Sequence, residues 1–407
     1  MTVDEAKTLD AADPLAFTRE RFRLPDGTIY LDGNSLGALP AAAPAALGGT
    51  AEQQWGEDLI ASWNKHGWID WPTRIAAKLA PIVGARPDEL LIADSTSVSL
   101  FKLLAAAVQA RPGRRTILSQ QADFPTDLYV AQGLADMLGV ELRSVPAGDI
   151  ADAIDEQVAV VTLTHVDYRS AAIHDMRGIN ETAHSAGALT VWDLSHSAGA
   201  IELDLDGTGC DLAVGCGYKY LNGGPGAPAF IYVAERLQGE LRNPLQGWMG
   251  HADPFAFVDE YQPSEGVLRF LTGTPSILAM AALEAGIDTF DGIAMRDVEA
   301  KARKLSKLFV DEVEARCGSE VRLGSPRDPA QRGSHVVFAH PEAYAVMQAL
   351  IARGVVGDFR APDLMRFGFA PLYNGFGEIV RAAEILANIL ATREWDQSRF
   401  KERAKVT

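Results

Sequence analysis

From Ala51 to about Gly286, short unbroken apolar runs alternate with stretches whose apolar residues recur at helical spacing. Residues 116–118, 158–163, 189–192 and 211–215 read as strands, and 97–110, 128–138 and 179–185 read as helices. Such alternation predicts crossover units on a mainly parallel sheet, an α/β fold. Further on, 281–316 keeps Ile287, Phe290, Leu305, Leu308, Phe309 and Val313 at helical spacing until Gly318, which predicts a connector. A smaller mixed domain follows, from the patterns at 334–338, 342–352, 365–369 and 377–391. Before the large domain, 14–23 suggests a short helix and 28–31 a short strand running into the turn-rich Asp32-Gly-Asn-Ser-Leu-Gly37. The expected division is an N-terminal arm over 1–50 joining the small domain, a large domain over 51–285 and a small domain over 286–407.

With 407 residues and 47% hydrophobic content, the chain can bury a large core, and only its ends look disordered. Its formal charge of −17, from 37 basic and 54 acidic residues, opposes general affinity for nucleic acid or anionic lipid. Phosphate recognition therefore has to be local. Cys210, Cys216 and Cys317 have neither metal-ligand nor Cys-x-x-Cys spacing, which suits a reducing compartment and predicts no metal site. The first 13 residues hold no apolar signal core, and no run of about 18 apolar residues occurs, so a cytoplasmic location is expected.

The chemistry concentrates in two strings. Val191-Trp-Asp-Leu-Ser-His-Ser-Ala-Gly199 ends an apolar run on Asp193, and Gly217-Tyr-Lys-Tyr-Leu-Asn-Gly-Gly-Pro-Gly226 places Lys219 just beyond the next one. A carboxylate and an amine at neighbouring strand ends are what pyridoxal phosphate requires, one to hold its ring nitrogen protonated and one to bind its aldehyde. Singly, the Asp reads as a helix cap and the Lys as a solvated loop residue. The hydroxyl-rich Asp94-Ser-Thr-Ser-Val-Ser99 opens a helical run, serving as a simple cap or as a cradle for phosphate. In Gln121-Ala-Asp-Phe-Pro-Thr-Asp127, Phe124 is placed to lie against a cofactor ring and Asp127 to meet its polar edge.

These strings, with Tyr30-Leu-Asp-Gly-Asn-Ser-Leu-Gly37, Thr164-His-Val and Arg366-Phe-Gly-Phe-Ala-Pro-Leu-Tyr373, resemble kynureninase from about residue 13 to 395. The resemblance implies a fold-type I pyridoxal-phosphate enzyme close to the class V aminotransferases, with a mainly parallel seven-stranded sheet, acting as a homodimer with its site at the subunit interface. It makes Lys219 the Schiff-base lysine, Asp193 the partner of the ring nitrogen and Tyr218 a catalytic neighbour. Thr96, Ser97, Tyr218, Trp248 and Thr274 would surround the phosphate, Trp248 and Thr274 coming from the other subunit. Phe124 would stack on the ring, with Pro125 and Thr126 in the same turn, while Asp127, Thr164 and His196 hold the polar edge. Arg366 would bind the α-carboxylate, unless it merely pairs with an acid such as Asp363. Asn34, Ser35, Trp63 and Gly273 would line the substrate's aryl pocket, and His66 stands near enough in sequence to meet a ring hydroxyl.

The implied activity is hydrolysis of the Cβ–Cγ bond of L-kynurenine, or of 3-hydroxykynurenine, to anthranilate or 3-hydroxyanthranilate and L-alanine, in tryptophan catabolism or NAD biosynthesis. Trp63 with Gly273 favours plain L-kynurenine. One departure stands out: Arg169-Ser-Ala-Ala172 replaces an expected Lys/Tyr-Thr-Gly turn, which leaves room for a ring-substituted kynurenine. A cysteine desulfurase would need a reactive thiol on a mobile loop, and none of the three cysteines is well placed for that. An aminotransferase would need a 2-oxo acid acceptor. A silent binding protein is opposed by the retained Lys219, Asp193, Tyr218 and Arg366.

Overall fold

The computed structural model describes residues 1–403. Its larger sheet has seven strands: β1 (Leu90–Ala93), β2 (Thr116–Gln120), β3 (Glu141–Val145), β4 (Val158–Thr164), β5 (Leu189–Asp193), β6 (Leu212–Gly215) and β7 (Ala229–Val233). Every residue of β1, β2 and β4 to β7 is buried, because helices cover both faces of a parallel sheet and leave no side that must face water. The spatial order is β1-β7-β6-β5-β4-β2-β3. Only β7 runs against its neighbours, so the other six strands end at one edge.

Eight helices carry the rest of the argument: α1 (Val3–Ala11), α2 (Trp71–Val83), α3 (Thr96–Gln109), α4 (Pro125–Leu138), α5 (Met176–Ala186), α6 (Met295–Cys317), α7 (Ala343–Ala352) and α8 (Phe376–Thr392). The amphipathic α2 buries Trp71, Ile75, Leu79 and Val83 on one stripe and stops at Gly84, where φ is 61° and a Cβ would lie 2.2 Å from the Leu203 carbonyl oxygen, leaving room only for glycine. A second sheet, entirely antiparallel, contains β8 (Arg322–Leu323), β9 (His335–Ala339), β10 (Asp358–Arg360) and β11 (Leu364–Gly368) in the order β8-β9-β11-β10.

The apolar side chains form two cores. One surrounds the seven-stranded sheet; the other packs α6, α7 and α8 on the small sheet through Phe309, Phe338, Met347, Phe367 and Leu386. The connector read from 281–316 is two helices, Ile277–Ile287 and α6, separated by a turn at Asp288–Phe290 and Gly292. Met295 and Val298 of α6 belong to the first core, whereas Leu305, Phe309 and Val313 belong to the second. The arm likewise serves both cores, with Leu15, Phe22 and Ala38 in one and Ala6 and Leu31 in the other.

The beginning of the chain corrects the expectation of a disordered end. Thr2 and Glu5 form a reciprocal cap on α1, and Ala6 is fully buried. The Asp10 carboxylate accepts from the Phe376 and Gly377 amides and caps α8, while Asp13 forms a buried ion pair with Lys301 at 2.6 Å. Short-range composition hid this, because the anchors lie some 290 to 370 residues away.

Candidate active site

The shared edge of the parallel strands gathers the chemistry, as expected of open α/β sheets. Asp193 ends β5, Thr164 ends β4, Asp123 and Phe124 follow β2, Ser95 follows β1, and Lys219 lies just beyond β6. Lys219, only 9% exposed, brings its Nζ to 3.4 Å from His196 Nε2 and 5.7 Å from the Phe124 ring centroid. Burial, then Lys219 and His335, hold the His196 imidazole well below its usual range, so it stays neutral beside the amine. Tyr218 is half-buried, and burial raises its phenol.

Three acids crowd this corner. Asp123 accepts the Phe124 amide at 2.8 Å, the Thr164 amide at 3.2 Å and the Thr164 hydroxyl at 2.6 Å, yet burial still pushes it up to about 6. Asp127 is raised well above the usual carboxylate range by burial and by Asp193 and Asp123, which favours a shared proton in its hydrogen bond with Asp193. Asp193 also accepts the Ser195 amide at 2.7 Å. Thr164 thus spends its hydroxyl on Asp123. The corner holds more acid than one lysine can balance, and a protonated pyridine nitrogen would relieve it; with Phe124 beside the amine, the residues present fit pyridoxal phosphate.

At the other side of the corner, Ser95 caps α3 by accepting from the Val98 amide at 3.4 Å, and the first helical bond runs from Ser99. The Thr96 and Ser97 amides lie ahead of that bond, at the positive end of the helix dipole. Asp94 holds the turn at φ 47°, its carboxylate paired with Lys102, which is wholly buried and also donates to the Phe270 carbonyl at 2.8 Å. Gly273 and Thr274 are exposed and line a cleft of about 50 Å³ with Asp94 and Pro228. Trp248 packs edge-on against Phe255 at 5.7 Å. Among the described residues, no hydrogen bond or ring contact joins Trp248 or Thr274 to Lys219 within one chain.

Arg366 is buried, and its partner is Asp358, not Asp363: Nε meets Oδ1 at 2.9 Å, and Nη2 meets Oδ2. Nη2 also donates to Ser35 Oγ at 3.0 Å, and Nη1 to the Tyr168 carbonyl at 2.9 Å. Asn34 lies fully buried against Gly368 with both amide atoms unpartnered. Trp63 packs edge-on to Trp68 at 6.0 Å, while His66 is engaged by Asp58 at 2.7 Å. The departure at 169–172 has a definite outcome: Ala171 adopts φ 66° where glycine was expected, and Asp167 accepts from Arg169, Ser170 and the Ser170 hydroxyl to hold the turn. The Tyr168 ring in this loop meets Phe124 edge-on at 5.4 Å.

Sequence reasoning missed Asp358, the role of Asp123 and the buried His335, whose ring lies 5.4 Å from His196. The signal for Asp358 was a hairpin, since Asp358 and Arg366 face each other across β10 and β11.

The family model described as the kynureninase C-terminal domain matches residues 298–386. The kynureninase of Pseudomonas fluorescens is 48% identical, and that of Burkholderia mallei (strain SAVP1) 50% identical, each alignment covering 100% of both chains. Among solved structures, a cysteine desulfurase from Thermococcus onnurineus NA1 superposes with a TM-score of 0.78 at 21% identity, over 92% of this chain and 98% of that one. A C-DES variant with glycine covalently linked to its PLP cofactor also gives 0.78, at 18% identity, over 91% and 99%. These structural likenesses establish the fold-type I architecture. Desulfurase chemistry does not come with it, because all three cysteines are buried and burial raises the thiols of Cys210 and Cys216. Full-length identity near one half settles the kinship: the chain belongs to the kynureninase family.

Proposed function

We propose that this chain hydrolyses the Cβ–Cγ bond of L-kynurenine to anthranilate and L-alanine, with pyridoxal phosphate bound at Lys219. The observation that carries this reading is the single corner in which Lys219, His196, Phe124 and the Asp123–Asp127–Asp193 cluster meet. When bound there, pyridoxal phosphate supplies the electron sink for charge developing at Cα and Cβ of the substrate. Asp193, supported by the Asp127 proton, holds the ring nitrogen's proton. Lys219 takes the Cα proton, and the neutral His196 leaves that amine free of a competing cation. Tyr218, beside Lys219, holds its own proton through the burial of its phenol and is available to pass it to Cβ as the Cβ–Cγ bond breaks, the aryl fragment departing as a carboxylic acid. One water adds across the γ-carbonyl, the Cβ–Cγ bond breaks, and the two products together contain the substrate and that water.

Thr96 and Ser97 hold the phosphate, with Trp248 and Thr274 reaching it from a second copy in a homodimer. The exposed apolar side chains of Trp55, Leu59, Ile60, Phe257 and Val258 support such an assembly. Arg366 and Ser35 take the substrate's carboxylate end, while Trp63 and Gly273 face its ring. Engagement of His66 by Asp58 favours a ring without a hydroxyl.

Holoenzyme incubated with L-kynurenine and with 3-hydroxykynurenine, without any acceptor, is assayed for the fluorescent aromatic product and for alanine. We expect equal amounts of both products and a kcat/KM about 10- to 100-fold higher for L-kynurenine. Alanine formed only when a 2-oxo acid is added would overturn the hydrolase reading, and a higher kcat/KM for 3-hydroxykynurenine would overturn the substrate preference.

A further inference from the structure

The hydrogen bonds of Arg366 leave it nearly spent. Of its five N–H groups, Nε and one on Nη2 go to Asp358, the second on Nη2 goes to Ser35 and one on Nη1 goes to the Tyr168 carbonyl. A single Nη1 donor remains, whereas a carboxylate bound in the usual forked manner asks for two. Arg360, on the same hairpin, also lies on Asp358, with Nη2 at 2.9 Å from Oδ2. It differs from Arg366 in exposure, its side chain being 34% accessible against 2%. Its only other hydrogen bond among the described residues is from Nη1 to the Phe359 carbonyl at 3.3 Å, so most of its donors are uncommitted.

Charge points the same way. Two guanidinium groups share one carboxylate, which leaves a unit of positive charge in a place closed to bulk solvent on the Arg366 side. The remaining acid nearby, Asp32, has one buried oxygen without a partner and is pushed up to about 7 by burial and by Asp358, so near neutrality it offsets only part of this charge. Both arginines also act electrostatically on His196, which places Arg360 within the field of the corner that holds Lys219.

We propose that Arg360 is a second guanidinium of the substrate's carboxylate subsite, taking one oxygen of an amino-acid α-carboxylate while the remaining Nη1 donor of Arg366 takes the other. Asp358 anchors both side chains and keeps them apart at a fixed span. This assignment rests on the reading of the site given under Proposed function and adds to it a residue that selects amino acids bearing a free carboxylate. Arg366 is the fixed half of the subsite, and Arg360 is the half reached from solvent.

The test uses pyridoxal-phosphate-loaded Arg360→Gln and Arg360→Lys. The affinities of L-kynurenine and of its α-carboxamide are read from the shift in the cofactor's visible absorbance, alongside kcat and KM for L-kynurenine. Because Arg366 still neutralises Asp358, neither variant leaves that acid bare; thermal unfolding and cofactor loading confirm that both fold. We expect Arg360→Gln to raise KM and the spectroscopic Kd for L-kynurenine about 10- to 100-fold, with kcat within about threefold of the parent. Arg360→Lys should lose less, keeping the charge but not the fork. Affinity for the carboxamide should stay within about twofold in both. An unchanged Kd for L-kynurenine, an equal loss for the carboxamide, or a fall in kcat without a change in KM overturns the proposal. A parent enzyme inert towards L-kynurenine would instead sink the proposed function, so the two failures are distinguishable.

Discussion

At the ring end of the site, Asp123, Asp127 and Asp193 surround a single lysine, whereas at the carboxylate end Arg360 and Arg366 share Asp358. Each end is unbalanced in the sense that its ligand would correct, a ring-nitrogen proton for the acids and a carboxylate for the arginines. The ends also differ in how they are built. Asp193 ends a strand of the parallel sheet, and Asp123 and Asp127 follow another, while the arginines belong to a hairpin of the antiparallel sheet, where Arg366 meets Ser35 and the Tyr168 carbonyl. Binding energy from a charge deficit is largest where water is kept out, as it is around the buried acids and Arg366, whereas Arg360 keeps 34% of its side chain accessible.

Breaking the ring end should cost most. In Asp193→Ala the ring nitrogen loses its acid, and kcat/KM for L-kynurenine should drop by about 10³-fold or more. A loss under tenfold would show that Asp127 or Asp123 can replace it. At the arginine end the large effect falls on stability instead. Asp358→Ala leaves the Arg366 cation buried without its counter-charge and should destabilise the fold by about 3–5 kcal/mol, measured by urea unfolding. If Asp358→Ala unfolded at the parent's urea concentration, the two ends would not differ in the way argued.

The pH dependence sharpens the contrast. Asp123 in the folded chain titrates at about 6, above its ordinary 3.8, and Asp127 is raised as well, so the folded state binds the additional protons. The Asp123 contribution is fully present below the unfolded value and is lost as pH rises through the folded one, between about pH 4 and 7. Cofactor-free protein should therefore lose about 2 kcal/mol over that window, while the loaded enzyme, with a ring-nitrogen proton beside the acids, loses less. Thermal unfolding of both forms at pH 5 and pH 8 checks this: the gap between them should be wider at pH 8, and a gap that narrows would contradict the picture.

Asp193 and Lys219 were legible in the sequence because Asp193 closes an unbroken buried strand and Lys219 stands just past the next, where a polar residue is conspicuous. β3 was missed because Glu141 and Arg143 break its apolar character at the sheet's edge, and β7 because a single reversed strand leaves no crossover pattern. The partner of Arg366 was illegible for another reason. Spacing along the chain favours Asp363, three residues away, but the register of β10 on β11 sets Asp358 directly opposite, and only folding decides that register. Thr164 came from the family resemblance as a contact of the cofactor's polar edge; in the folded chain its hydroxyl donates to Asp123, two strands away in the chain, a pairing that no local pattern announces.

The smallest expected effect concerns the loop that joins the two ends, since Tyr168 supplies a carbonyl to Arg366 and a ring edge to Phe124. Ala171 in that loop has φ 66°, a conformation that costs a residue with a Cβ about 1–2 kcal/mol. Its methyl is fully buried, which returns about 0.8 kcal/mol, and glycine would add the entropy of a freer unfolded chain, about 0.4–1 kcal/mol. These terms nearly cancel, so Ala171→Gly should move stability by less than about 1 kcal/mol and leave KM within about twofold. Ala171→Val meets the same backbone with a branched side chain in a filled site and should lose about 2 kcal/mol or more. Urea unfolding of the pair separates backbone strain from packing. If glycine cost as much as valine, the methyl would be a packing element of the loop, and the Asp167 hydrogen bonds alone would not suffice to hold Tyr168 between the acid end and the arginine end.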